Sequence, residues 1–262
     1  MKIGFIGAGN MGGAIVGGIV KNNISNEVKI FDKNPDAVSK LCAQYGVMAA
    51  EDGKDAAEDA DILFLAVKPN VIYSVIEEIK DSVGEETVVV SIAAGQSIEK
   101  LEKAFGRTVR LVRVMPNTPA LVGESMSALC KNAAADEADM QNVMGIFNSL
   151  GRAESVEEYM MDAVTAVSGS SPAYVFMLIE AMADAAVMGG MPRTKAYTFA
   201  AQAVLGSAKM ALETGKHPGE LKDMVCSPAG TTIAAVRTLE EKGFRSAVIE
   251  AMKDCIDKSA SM

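Results

Sequence analysis

Apolar residues in the first half of the chain gather in short β-branched runs: KIGFI (2–6), EVKIF (27–31), DILFLAV (61–67), TVVVSI (87–92) and TVRLVRV (108–114). Each run is apolar over several consecutive positions, as a strand buried on both faces of a parallel sheet must be. Between them the apolar spacing shifts to the helical period, over 10–21, 35–44, 70–80 and 97–104. This alternation predicts an α/β fold, an N-terminal Rossmann-type doubly wound sheet. A further strand-like stretch, ESMSALC (124–130), and a helix near 136–149 complete this half.

After about Glu157 there are no more strand-like runs. Helical patterns follow near 159–167, 172–189, 193–214, 218–225, 229–241 and 243–258. Pro192 at a helix start and Gly215 at a helix end punctuate them. The expected organisation is therefore a dinucleotide-binding domain over 1–157 and an all-α substrate and dimerisation domain over 158–262. The segment AYVFMLIEAMADAAVM (173–188) is apolar on nearly every face. A helix of that kind has to be covered all round. Two arrangements would do so: a homodimer that shares this helix, or a monomeric bundle with this helix at its centre.

Composition narrows the function classes. The chain has 262 residues, 49% of them hydrophobic, and a formal net charge of −9 with no Lys/Arg-rich run. Such a surface is unsuited to nucleic acid or to an anionic membrane. Cys42, Cys130, Cys226 and Cys255 are far apart and form no C-x-x-C pair, so neither a disulfide framework nor a metal site is expected, and a reducing cytoplasmic setting fits. The opening MKIGFIGAGNMG is not read as a signal peptide, and the uncharged stretch 163–179, with its Ser, Gly and Pro, is not read as a membrane span.

The first chemistry-bearing motif is Gly7-Ala8-Gly9-Asn10-Met11-Gly12, a G-x-G-x-x-G placed directly after a strand and opening a helix. Asp32 lies twenty residues beyond Gly12, at the end of the second strand. In that context the motif is a dinucleotide fingerprint: a tight turn at Gly7, close backbone approach at Gly9, and helix–strand packing at Gly12. The helix N-terminus offers N–H groups to a pyrophosphate. Asp32 suits the ribose hydroxyls of NAD, whereas Lys33 and Asn34 suit the 2′-phosphate of NADP, so NADPH and NADH both stay open. Further loops fall at the carboxyl ends of strands, where ligands bind in open α/β sheets: Ala66-Val67-Lys68-Pro69, Ala93-Ala94-Gly95 and MPNTPA (115–120).

The helical half must supply the substrate side. Its single histidine, His217, reads as structural, and no Lys, Arg or His occurs between Arg152 and Arg193. Reduction of an alcohol's carbonyl partner calls for a general acid/base. A protonated C=N bond is already electrophilic and needs chiefly to be positioned. The loop SPAGTT precedes a helix, and Ser227, Gly230, Thr231 and Thr232 would present hydroxyls and N–H groups to a carboxylate there without an arginine. An ordinary helix N-cap is the plainer reading of the same residues.

At this point GFIGAGNMG (4–12), LAVKP (65–69), SIAAG (91–95), RVMPNTPALVG (113–123), DAVTAVSGSSPAYVF (162–176) and HPGELKDMVCSPAGTTIAAVRTLEEKGFRSAVIEAM (217–252) together resemble the pyrroline-5-carboxylate reductase family over essentially the whole chain. The resemblance implies reduction of 1-pyrroline-5-carboxylate, a cyclic imino acid, to L-proline by NAD(P)H, the last step of proline biosynthesis. It implies a homodimer, with a decamer of dimers as a larger assembly. Carried over by position, Gly7 to Gly12, Asn34, Ala66 to Pro69 and Ala93 to Gly95 would touch the cofactor. Ser227, Gly230, Thr231 and Thr232 would hold the substrate carboxylate, and Glu158 would lie near the substrate nitrogen. No proton donor is assigned. Ser171 and Ala229 stand where the family often has Gly, and Asp32 is not the usual residue of NADP-preferring members. The alternatives are a reductase of another cyclic imino acid, a β-hydroxyacid dehydrogenase on the same scaffold, and a non-catalytic dinucleotide-binding protein. The dehydrogenase would need a lysine on the helix after SGSSP, where this chain has Val175 and Phe176.

Overall fold

The computed structural model describes residues 1–25 and 27–262. It forms two compact units, one of Met1–Ser170 with Cys255–Met262 and one of Ser171–Asp254.

The first unit is built in the order β1 (Lys2–Ile6), α1 (Asn10–Lys21), β2 (Glu27–Phe31), α2 (Pro35–Tyr45), β3 (Met48–Ala49), α3 (Gly53–Ala57), β4 (Ile62–Leu65), α4 (Ile72–Ile79), β5 (Val88–Ser91), α5 (Ile98–Phe105), β6 (Arg110–Met115), β7 (Ser125–Lys131), α6 (Glu137–Asn148) and β8 (Gly151–Ser155). The strands form one sheet in the order β3-β2-β1-β4-β5-β6-β7-β8. It is parallel from β3 through β6, β7 runs antiparallel to β6, and β8 is parallel to β7. The order reverses between β1 and β4, which opens a crevice at their carboxyl ends.

The apolar runs follow from this sheet being covered on both faces. In β4, Ile62 and Phe64 join one core layer with α1, α2 and α6, while Leu63 and Leu65 join the other with α3, α4 and α5. Val88 and Val90 alternate with Val89, and Val112 and Val114 with Leu111, in the same way. Phe5 stacks on Phe64 with ring centroids 4.5 Å apart. Burying each such ring contributes roughly 1.5–3 kcal/mol.

β3, α3 and β8 carry no clear signal in the sequence. β3 has only two residues, α3 has five, and β8 is GRAES, held by its ladder to β7 rather than by apolar character.

The first unit extends past the 157/158 junction expected from the sequence. Residues 158–160 form a 3₁₀ turn, α7 covers Met161–Val164, and Thr165–Ser170 form a π-helical stretch. Met161 is buried in the sheet's second core layer, with Val156 and Val164 packed against it. The end of the chain also returns here: Ser259, nearly buried, donates from Oγ to Asp162 Oδ1 at 2.6 Å.

The second unit is helical: α8 (Ser171–Met188), α9 (Arg193–Thr214), α10 (Pro218–Val225), α11 (Thr231–Glu241) and most of α12 (Phe244–Ala260). Helices α8 and α9 pack along one another. The buried side chains between them are small, Ala183, Ala196 and Ala200. Large apolar side chains are left outside: Phe176, Met177, Met188, Phe199, Leu205, Leu212 and Ile249 are all more than half exposed in the single chain. The apolar helix expected at 173–188 is therefore present but bare.

Candidate active site

Between β1 and α1 the chain turns over Gly7-Ala8-Gly9. Gly7 has φ +112°, and a Cβ there would stand 2.3 Å from the Ala66 carbonyl oxygen. A Cβ on Gly12 would stand 2.4 Å from the Gly7 carbonyl oxygen. Both positions need glycine because backbone presses on backbone. Gly9 differs, since nothing lies within 4 Å of its missing Cβ. It is the N-cap of α1 and supplies no side-chain cap, so the first amides of the helix face open space. That space, at a helix N-terminus, suits a phosphate.

Asp32 ties this turn to the next strand. Its Oδ2 accepts from the Ala8 N–H at 2.6 Å and its Oδ1 from the Asn34 N–H at 2.8 Å. Asn34 in turn caps α2, accepting from the Asp36 N–H at 3.1 Å. Lys33 stays exposed.

Two hollows continue one another along this edge. One, of about 280 Å³, is lined by Gly7, Gly9, Asp32, Lys33, Lys68 and the α4 residues Val75 and Glu78. The other, of about 330 Å³, is lined by Gly9, Asn10, Met11, Ala66, Val67, Lys68, Ile92, Ala94, Met115 and Pro116. Pro69 starts a short 3₁₀ turn, Pro69–Val71, that leads into α4. Small or apolar groups thus give a ring a flat wall at one end of the groove, and a polar turn closes the other. These residues fit a dinucleotide.

The Ala93-Ala94-Gly95 turn is held from below and from above. Ala93 is buried, and the next residue, Gln96, accepts a hydrogen bond from the Tyr73 hydroxyl on α4. Gly95 has φ +71°, and a Cβ there would meet Met262 Cβ at 2.7 Å, so the end of the chain lies on this turn. No spacing in the sequence points to Met262.

Glu158 Oε1 accepts from the Ile98 N–H at 2.7 Å and from Arg113 Nη1 at 2.8 Å. It thereby caps α5 and pairs with a guanidinium that is 8% exposed. Burial, and then the charge of Glu158, push the nearby Cys130 thiol up to about 12. In the sequence Met115 and Pro116 carry only the signal of the loop MPNTPA at the end of β6, and Arg113 lies within the strand run before it with no individual role.

In the helical unit, Ser227, Gly230, Thr231 and Thr232 form one turn into α11. The Gly230 N–H donates to the Ser227 carbonyl at 3.0 Å, and a Cβ on Gly230 would stand 2.3 Å from Ser227 Oγ. Gly230 is the N-cap of α11 and gives no side-chain cap. The first amides of an eleven-residue helix are thus left beside three hydroxyls. Ala229 holds φ +57°, the left-handed region.

The chain matches two family descriptions, "NADP oxidoreductase coenzyme F420-dependent" over residues 2–95 and "Pyrroline-5-carboxylate reductase dimerisation" over residues 158–262. It is 55% identical to the pyrroline-5-carboxylate reductase of Escherichia coli (strain K12), over 100% of this chain and 98% of that one. Among solved structures it superposes on the pyrroline-5-carboxylate reductase of Coxiella burnetii with a TM-score of 0.92 at 35% identity, covering 99% of this chain and 97% of that one. It superposes on the pyrroline carboxylate reductase of Plasmodium falciparum with NADP bound with a TM-score of 0.89 at 33% identity, covering 100% and 97%. A groove that fits a dinucleotide, a helix start with no side-chain cap and full-length relatives of one kind converge: this chain belongs to the pyrroline-5-carboxylate reductase family and reduces 1-pyrroline-5-carboxylate to L-proline with NADPH or NADH.

Proposed function

We propose the following division of labour for that reaction. Residues 1–157 carry the cofactor and residues 158–262 the substrate and the dimer contact. The glycine turn, Gly7 to Gly12, takes the pyrophosphate. Asp32, Lys33 and Asn34 take the adenosine ribose. Ala66 to Pro69 and Ala93 to Gly95 wall the nicotinamide end. When bound, the reduced nicotinamide supplies the hydride that turns a protonated C=N bond into a secondary amine. Ser227, Gly230, Thr231 and Thr232 hold the substrate carboxylate and so orient the ring. Glu158 faces the ring nitrogen, where an anionic oxygen stabilises an iminium N–H. The proton on the imine comes from water.

The observation that carries this reading is the uncapped N-terminus of α11 directly after SPAGTT. It holds an anion without a basic side chain, and the reaction asks for no more than orientation. Both cofactors serve, because the Asp32 carboxylate is engaged by two backbone amides while Lys33 is left exposed beside the groove.

The stretch Glu158–Met188 is long and apolar enough to cross a membrane by length and composition. We assign its cover to a second copy of the chain instead. Glu180 and Asp184 lie on α8, and bare apolar residues recur on α9, α11 and α12, which a single span would not need. The working form is then a cytoplasmic homodimer, or a decamer of dimers, with no nucleic-acid partner.

The test is oxidation of NADPH and of NADH with 1-pyrroline-5-carboxylate by the wild type and by Thr232→Ala. Losing one hydrogen bond to a charged group raises the imine KM roughly tenfold or more while both cofactor KM values hold. An unchanged imine KM removes the SPAGTT assignment. Absence of wild-type turnover removes the substrate assignment, and other cyclic imino acids come next.

A further inference from the structure

Asn117 is 8% exposed and its side chain makes three hydrogen bonds. Its Oδ1 accepts from the Met126 N–H at 3.0 Å and from Ser125 Oγ at 3.2 Å, both on β7. Its Nδ2 donates to the carbonyl of Ser168 at 3.0 Å. Ser168 lies within the π-helical stretch Thr165–Ser170.

The reason for that stretch can be read four residues further on. In an α-helix the Ser168 carbonyl would accept from the N–H of residue 172. Residue 172 is proline, which has no N–H and whose ring would clash with that carbonyl. The helix widens instead, as π-bulges do, often at functional sites. Local hydroxyls cover other carbonyls of this turn: Thr165 Oγ1 donates to Met161 and Ser168 Oγ to Val164. The carbonyl of Ser168, a buried residue of this turn, takes the Asn117 amide. The same segment touches the turn a second time, because a Cβ on Gly169 would stand 2.5 Å from Met115 Cε. Met115 and Pro116, just before Asn117, line the groove beside Ile92 and Ala94.

We propose that Asn117 is a positioning residue for hydride transfer: by joining β7 to the Ser168 carbonyl left by Pro172, it fixes the Met115–Pro116 wall against which the nicotinamide ring lies. The proposal rests on the groove assignment above. The Asn117 side chain bonds to β7 and Ser168 rather than to the phosphate turn, so its effect falls on ring placement and not on dinucleotide affinity.

Steady-state turnover of 1-pyrroline-5-carboxylate with NADPH, by the full chain as wild type and as Asn117→Asp, tests it. Aspartate keeps an acceptor for Ser125 and Met126, and it turns the donor to Ser168 into a charged oxygen that repels that carbonyl. Misplacing a reacting ring by an ångström lowers kcat by roughly 10- to 100-fold, while the NADPH KM stays within about twofold. The isotope effect with C4-deuterated NADPH rises as hydride transfer becomes limiting. A folded variant with wild-type kcat, or one whose NADPH KM rises in step with the loss, overturns the proposal. Should Asn117→Asp not fold, Ser125→Ala is expected to lower kcat less but in the same direction, and a wild-type kcat there overturns it equally. The link to Pro172 has its own readout, independent of the reaction. Pro172→Ala restores the missing N–H, so the melting temperature lost on Asn117→Ala is smaller in that background. Equal losses in both backgrounds overturn the link. No wild-type turnover, with the melting link intact, would fault the substrate assignment and not the geometry.

Discussion

The three glycines of the first turn are not equivalent, and substitution separates them. Gly12 is closed in by backbone, with the Gly7 oxygen 2.4 Å from its missing Cβ. Gly9 faces open space. Gly12→Ala forces α1 off β1 and is expected to destabilise by about 1–3 kcal/mol, as overpacking does. Gly9→Ala leaves stability unchanged, within about 0.5 kcal/mol, and raises the KM of NADPH and NADH alike if the pyrophosphate lies where we propose, because its methyl group would intrude there. Melting curves and cofactor titrations of the two variants check this, and a Gly9→Ala protein with normal cofactor KM would place the phosphates elsewhere. Asp32 shows the converse. Its type and spacing point to a ribose ligand, yet its oxygens already accept two backbone amides. Its first role is to hold the Gly turn against the end of β2.

Between residues and the fold stand the helix starts. α1 and α11 both begin at a glycine N-cap with no side-chain cap. α5 begins at Ser97, which accepts from the Lys100 N–H, and adds Glu158 from a distant segment. The uncapped starts of α1 and α11 are the two proposed to meet ligands; α4 at Val71 and α9 at Pro192 also begin without a side-chain cap, so a bare start is not by itself a site. The loop before α11 carries a strain of its own. Ala229 at φ +57° costs about 1–2 kcal/mol relative to a right-handed conformation. Glycine there relieves that strain but gives back part of it, about 0.4–1 kcal/mol, through a freer unfolded chain. Ala229→Gly is therefore expected to stabilise the protein by about 0.5–1 kcal/mol, read as a higher denaturation midpoint. A lower midpoint would mean that the alanine methyl makes a contact of its own.

At the level of the assembled protein, the second unit has too little interior for its apolar content. Its buried helix contacts are alanines, while Phe176, Phe199, Leu205 and Ile249 stay bare in one chain. Association follows from that surface, and the dimerisation family match over 158–262 agrees. Light scattering should report at least 2 × 27.5 = 55 kDa. Phe199→Asp is expected to shift the population toward the single chain and to lower its melting temperature together. A wild-type protein that scatters as 27.5 kDa at micromolar concentration would reject the dimer.

Part of this architecture is legible in the amino-acid sequence alone. Strands buried on both faces are rich in consecutive apolar residues, so β1, β4 and β5 stand out, β6 does so around its arginines, β2 (EVKIF) shows a half-buried alternation, and helices with proper punctuation, such as α9 between Pro192 and Gly215, stand out too. The glycine turn was readable because its demands are local: one strand, one helix and two close backbone approaches. Elements without local character were not readable. β3, α3 and β8 exist because neighbours complete their hydrogen bonds. The π turn at 165–170 needed Pro172 to be read against a carbonyl four residues earlier. Glu158 with Arg113, Asn117 with Ser168 and Met262 on Gly95 join positions 45, 51 and 167 residues apart (158 − 113, 168 − 117 and 262 − 95). Such pairings depend on how the chain returns on itself, and short-range spacing carries no information about that return.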